Sequence, residues 1–139
     1  MQELTEFASG NLFLVTGLIA SGLAVVFYEL RIKARDIGSL SSAMAIRVIN
    51  DGGTVVDIRS PELFSSGHIV DSRNIPEAEL LKNPAVLEKH RKGTVLVCDN
   101  GSRSASIAAQ LRKGGTENVF CIKGGLAVWQ QENLPVVRD

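Results

Sequence analysis

Cysteine and histidine are scarce in this chain of 139 residues, with two of each. Cys98 and Cys121 stand too far apart for a CxxC redox centre or a paired zinc site, and two histidines add little, so no metal site and no cofactor is expected. Net charge is lacking as well: fifteen basic residues balance fifteen acidic ones, which gives no reason to expect nucleic acid as a partner. There is no internal repeat and no low-complexity segment. The length suits one modest domain.

Charge is also missing locally. Phe7 to Tyr28 holds no charged residue, and Leu12 to Tyr28 is nearly all apolar. Twenty-two helical residues rise about 33 Å, enough for a bilayer core of about 30 Å. The residues before the stretch are acidic rather than basic, and no small-x-small site closes it, so an uncleaved anchor is expected rather than a signal peptide. Arg31, Lys33 and Arg35 follow directly. The positive-inside rule then places the amino terminus outside and the rest of the protein in the cytoplasm. The reading is a tail over 1–6, a transmembrane helix over 7–28, a charged tether over 29–36 and a folded domain over 37–139. Thr16, Ala20 and Ala24, widened by Gly17 and Ser21, form a small-residue stripe of the kind that lets membrane helices approach closely.

Beyond the tether, strands and helices alternate. Ser41 or Ser42 caps a helix through Asn50, with Ala45, Ile46 and Ile49 at helical spacing. Thr54 to Ile58 reads as a buried strand, Ser60-Pro61-Glu62 starts a helix ended by Gly67-His68-Ile69, and Ser72 to Ile75 reads as a strand. A helix from Asn83-Pro84 to Lys89, a strand over Thr94–Val97, a helix over Ser104–Lys113, a strand over Asn118–Ile122 and a short helix holding Trp129 complete the pattern. Such alternation in one compact region predicts an α/β domain with a mainly parallel sheet.

The stretch that promises chemistry is Cys98-Asp99-Asn100-Gly101-Ser102-Arg103-Ser104. It places a thiol at the carboxyl end of a strand, where open α/β sheets put their ligands. The N–H groups of the loop and of the next helix's first turn lack intrahelical acceptors and favour a negative charge, as does Arg103, so a thiolate is expected there. Gly101 permits the tight cradle. A disulfide would silence this thiol, so both cysteines are read as reduced, in a reducing compartment. Ser102 and Ser104 either add hydroxyl donors at the sulfur or cap the helix, and capping is the safer reading. Cys121, beside Phe120 and Ile122, reads as an inert core residue and Trp129 as packing. His90, in the basic run Lys89 to Lys92, reads as solvated surface.

Taken together, these residues resemble the rhodanese family. Val56-Asp57-Ile58-Arg59, Glu62, Gly67-His68-Ile69 and Asn74-Ile75-Pro76 are similar to the first half of a rhodanese domain. The cysteine loop resembles the family's cysteine-x-x-glycine-x-arginine-serine, and Gly124-Gly125, Trp129 and Leu134-Pro135-Val136 resemble its closing segment. With the anchor, the chain looks like the small membrane-tethered single-domain rhodaneses of Gram-negative bacteria, which implies the inner membrane as its location. The resemblance implies a central parallel sheet flanked by helices, and transfer of a sulfane sulfur from a donor, thiosulfate or a small-molecule or protein persulfide, to a thiol or cyanide through a persulfide on Cys98. Asp99, Asn100, Gly101, Ser102 and Arg103 would then form the binding loop, with Asp57, Arg59 and Glu62 as an ion-pair network beneath it and His68 as a scaffold residue.

Two positions depart from the family pattern. Asp71-Ser72 replaces the usual glycine-alanine, and Asp99 puts a negative charge beside the nucleophile, where it repels a dianionic donor. A persulfide is therefore expected to be a better donor than thiosulfate. Cysteine phosphatases and arsenate reductases, whose loops set five residues between cysteine and arginine, are disfavoured, since four intervene here. The alternative is a tethered binding module that engages a membrane protein without turnover.

Overall fold

The computed structural model describes residues 1–90 and 92–139, and Arg91 of the basic run lies outside the described residues. The chain divides into two compact units, Met1–Ala34 and Arg35–Asp139. In the first, helix α1 (Gln2–Gly10) is followed by α2 (Leu12–Asp36), which runs on past the unit's end. The expected helix from Phe7 is thus broken at Asn11, whose side-chain amide and main-chain N–H both donate to the Phe7 carbonyl. The expected tether over 29–36 is helical and continues α2. With 25 residues, a mean hydropathy of 1.9 over its most apolar window and no buried side chain, α2 is long and apolar enough to cross a membrane. The Thr16 hydroxyl donates back to the Leu12 carbonyl at 2.8 Å, so even this polar group is satisfied within the helix.

The second unit is built on a five-stranded parallel sheet: β1 (Ser39–Leu40), β2 (Thr54–Asp57), β4 (Arg73–Asn74), β5 (Thr94–Val97) and β6 (Val119–Ile122), ordered β1-β6-β5-β2-β4. Strand alternation divides the core in two. Val55, Val95, Val97 and Ile122 pack with Ala45 of α3 (Ser42–Asn50) and with Leu126 and Trp129 of α7 (Gly125–Gln131). Val56, Leu96, Val119 and Cys121 pack with Ala105, Ile107, Ala108 and Leu111 of α6 (Ser102–Lys113) and with Leu80 of α5 (Glu77–Lys82). Cys98 continues the alternation of β5 and joins the α6 side. Ser41 caps α3, accepting from Met44 N.

Several elements differ from the sequence reading. His68-Ile69, expected to end helix α4 (Pro61–Ser66), forms strand β3, which pairs antiparallel with β7 (Val136–Val137). Two-residue strands leave no periodic signal, and this also hid β1 and β7. The helix expected over 83–89 is a single 3-10 turn, Pro84–Leu87, and α5 precedes it. His90 is half-buried rather than solvated, its Nδ1 at 3.0 Å from the Thr54 hydroxyl.

Candidate active site

β5 delivers Cys98 to the carboxyl edge of the sheet with the residue fully buried. The chain then turns through 99–101 and enters α6, with Gly101 as its N-cap at φ 84°. The Gly101 N–H meets Cys98 Sγ at 3.1 Å, and the left-handed angle turns the following chain so that the Ser104 N–H reaches the same sulfur at 3.4 Å. The Cys98 thiol donates to the Ser104 hydroxyl at 3.3 Å, which in turn donates to the Gly101 carbonyl at 3.2 Å. Ser104 therefore serves the sulfur rather than capping α6, and no hydroxyl caps that helix. Asn100 shapes the turn from outside, its Oδ1 accepting from Ser102 N at 3.0 Å.

A second turn clamps the loop from behind. Leu126 N donates to the Cys98 carbonyl at 2.9 Å and Ala127 N to the Asp99 carbonyl at 3.0 Å, so the free N–H groups opening α7 find their acceptors in the cysteine loop. A side chain on Gly125, at φ 60°, would run into the Cys98 carbonyl and stand 2.5 Å from Gly101 N. One on Gly101 would stand 2.8 Å from Gly124 N. The two glycine turns fit each other only without side chains. The sequence displays Gly124-Gly125 plainly, but nothing local says that it touches Cys98.

Beside the loop lies the ion-pair network. Arg59 is buried, and its Nε and Nη2 clasp Asp57 at 2.7–3.0 Å while Nη2 also donates to the Gly67 carbonyl at 2.7 Å. Burial pulls the Arg59 pKa down, but Asp57 and Asp99 outweigh it and the net direction is up. Asn74 donates to the carbonyls of Asp57 and Arg59, fixing this strand end. Asp99 completes the network, with Oδ1 at 3.4 Å from Arg59 Nη1 and Oδ2 at 3.4 Å from Arg103 Nη2. Arg103, expected on the sulfur, is half exposed and bonds Asp99 instead. Glu62 stays outside the network. It is exposed, and hydrogen bonds from its own backbone N–H and the Ser60 hydroxyl hold its carboxyl below the usual range.

His68 is buried: its ring stacks on Phe64 at 3.8 Å, Nδ1 lies 2.9 Å from the Phe64 carbonyl and Nε2 lies 4.0 Å from Asp139. Cys121 is buried against Ser39, with Sγ at 3.2 Å from the hydroxyl, and burial pushes its thiol up. Trp129 is buried in the core and donates to the Pro135 carbonyl at 3.1 Å. Among the described residues no cluster of three or more metal-ligating side chains occurs. A cleft of about 300 Å³ borders the loop, lined by Arg59, Ser66, Gly67, Asp99, Ala127 and Gln130, among others.

A buried sulfur that takes two main-chain N–H groups at the end of a parallel strand is the centre of the candidate site, and the comparison with known families gives the chain its class. Residues 42–132 match the rhodanese-like domain, and the chain belongs to that family. It is 35% identical to the uncharacterized protein YibN of Escherichia coli K12 over 99% of both chains. It is 36% identical to the thiosulfate sulfurtransferase GlpE of Pseudomonas entomophila, over 66% of this chain and 82% of that one. The crystal structure of a rhodanese-related protein from Thermoplasma volcanium superposes with a TM-score of 0.65 at 34% identity, covering 73% of this chain and 98% of that one.

Proposed function

We propose that this protein is a membrane-anchored sulfurtransferase that carries a sulfane sulfur on Cys98. The observation that carries the reading is the seat of Cys98 Sγ, which takes two main-chain N–H groups and touches a hydroxyl. In the first step the Cys98 thiolate attacks the outer sulfur of the donor. A new S–S bond forms, the donor's own bond to that sulfur breaks, and its electron pair leaves with sulfite or a thiolate. In the second step an acceptor thiolate, or cyanide, attacks the terminal sulfur and Cys98 departs as thiolate. No net redox change occurs over the cycle. The Gly101 and Ser104 N–H groups stabilise the anionic sulfur, and the Ser104 hydroxyl, freed from Gly101, turns to donate to it. Activation comes from these donors rather than from a histidine base. Because Cys98 is covered at rest, a donor reaches it as the exposed side chains of Asn100, Ser102 and Arg103 give way. The family membership and the sulfurtransferase relative support this chemistry.

In this reading α2 lies in the bacterial inner membrane, the amino terminus outside and the rhodanese domain in the cytoplasm, so donor or acceptor is met at the membrane surface. The test uses the full chain in detergent micelles, reduced and then exposed separately to thiosulfate and glutathione persulfide. Intact mass should show one added sulfur atom, absent from Cys98→Ser and removed by cyanide as thiocyanate. No added sulfur from either donor would overturn the reading in favour of a binding module.

A further inference from the structure

Two arginines stand beside the sulfur loop, and one carboxylate takes both. Arg59 is locked: Nε and Nη2 are spent on Asp57 and the Gly67 carbonyl, while Nη1 bonds Asp99 alone among the described residues, at 3.4 Å. Arg103 Nη2 meets the other oxygen of the same carboxylate, also at 3.4 Å. Both contacts are long, and Asp99 and Arg103 are each 52% exposed, so solvent competes with them. The Asp99 main chain is tied to Ala127 N, which holds the residue in place directly after Cys98. Arg59 and Asp99 also line the cleft that borders the loop.

We infer that Asp99 is a specificity-determining residue: its carboxylate occupies an anion seat formed by Arg59 and Arg103, and so turns the site away from thiosulfate and towards thiol persulfides. This rests on the sulfurtransferase reading. Loading from thiosulfate forms the Cys98 persulfide and expels sulfite, and a dianion at that place needs the cations that Asp99 already neutralises. Loading from a persulfide R–S–SH forms Cys98–S–SH and expels the thiolate R–S⁻, whose carbon skeleton puts its other charges several bonds from the reacting sulfur. Such a donor has no need of the seat. Asparagine at position 99 keeps the shape, removes the charge and frees both arginines.

The experiment measures kcat/KM on the full chain in detergent, with cyanide as acceptor, for thiosulfate and for glutathione persulfide. It compares the wild type, Asp99→Asn and Asp99→Asn/Arg103→Gln. Asp99→Asn should raise the thiosulfate-to-persulfide ratio about tenfold, chiefly through a lower KM for thiosulfate, and sulfate, a dianion that cannot accept sulfur, should become an inhibitor competitive with thiosulfate. Adding Arg103→Gln should return much of that gain. If persulfide loads Cys98 in all three proteins and the ratio stays within about twofold of wild type, Asp99 does not set the donor. A gain kept in full by the double variant without sulfate inhibition would overturn the seat, leaving repulsion alone as its cause. Failure of both donors to load the wild type would instead overturn the sulfurtransferase reading.

Discussion

Cys98 and Cys121 are both buried, yet their surroundings set them apart. Cys98 has main-chain donors aimed at its sulfur, whereas Cys121 sits mid-strand against the Ser39 hydroxyl. An alkylating reagent at pH 8 should therefore modify Cys98 at least tenfold faster than Cys121, read by peptide mass mapping. The raised Cys121 pKa also sets a sign for stability. Folding favours the neutral thiol, so its contribution is whole below the ordinary value of 9.0 and is lost as pH climbs through the raised native value. Denaturant midpoints should fall on that alkaline limb, and less steeply in Cys121→Ala. Ser104→Ala should slow sulfur loading by about tenfold, since it removes one of the sulfur's three polar partners while keeping the N–H that donates to it. Arg59→Met leaves Asp57 buried and uncompensated, and should cost about 3–5 kcal/mol in chemical unfolding of the reduced protein.

At the scale of elements, the site is a junction of two turns. The β5–α6 turn supplies the sulfur and its donors, and the β6–α7 turn supplies the bonds that hold the first one shut. Gly125→Ala places a methyl group against the Cys98 carbonyl at a left-handed backbone angle. It should cost about 1–3 kcal/mol of stability and abolish loading of Cys98, which intact mass measures directly. This junction was only half legible in the sequence. The cysteine, the glycine after it and the following helix announce a βα turn, because each acts within a few residues. The partner turn lies some twenty-five residues on, and only the pairing of β5 with β6 brings it alongside. Arg103 shows the same limit from the other side. Its place at the helix start suggested the sulfur, but Asp99 stands only four residues before it and the loop turns the guanidinium to that carboxylate instead.

At the scale of the whole molecule, a rhodanese domain follows one long apolar helix. If α2 spans the bilayer as proposed, the full chain should stay with membranes after alkaline carbonate extraction, and a variant lacking residues 1–34 should not. A carboxyl-terminal reporter active only in the cytoplasm should be active on the full chain, and reporter activity confined to the exterior would reverse the orientation.

The sequence by itself determined what depends on near neighbours and on pattern. Strand and helix alternation defined the parallel α/β domain, an uncharged run of sufficient length marked the apolar helix, and one loop carried the nucleophile and the family resemblance. Packing added the long-range contacts, the glycine turn against the sulfur loop and Asp99 drawn to Arg59 forty residues before it, while the path the loop takes turned Ser104 to the thiol and Arg103 to Asp99. The physical reason is range. Backbone propensity and hydrophobic period act over a few residues, whereas the partner of a buried charge or an open N–H group is whatever the packed sheet places beside it.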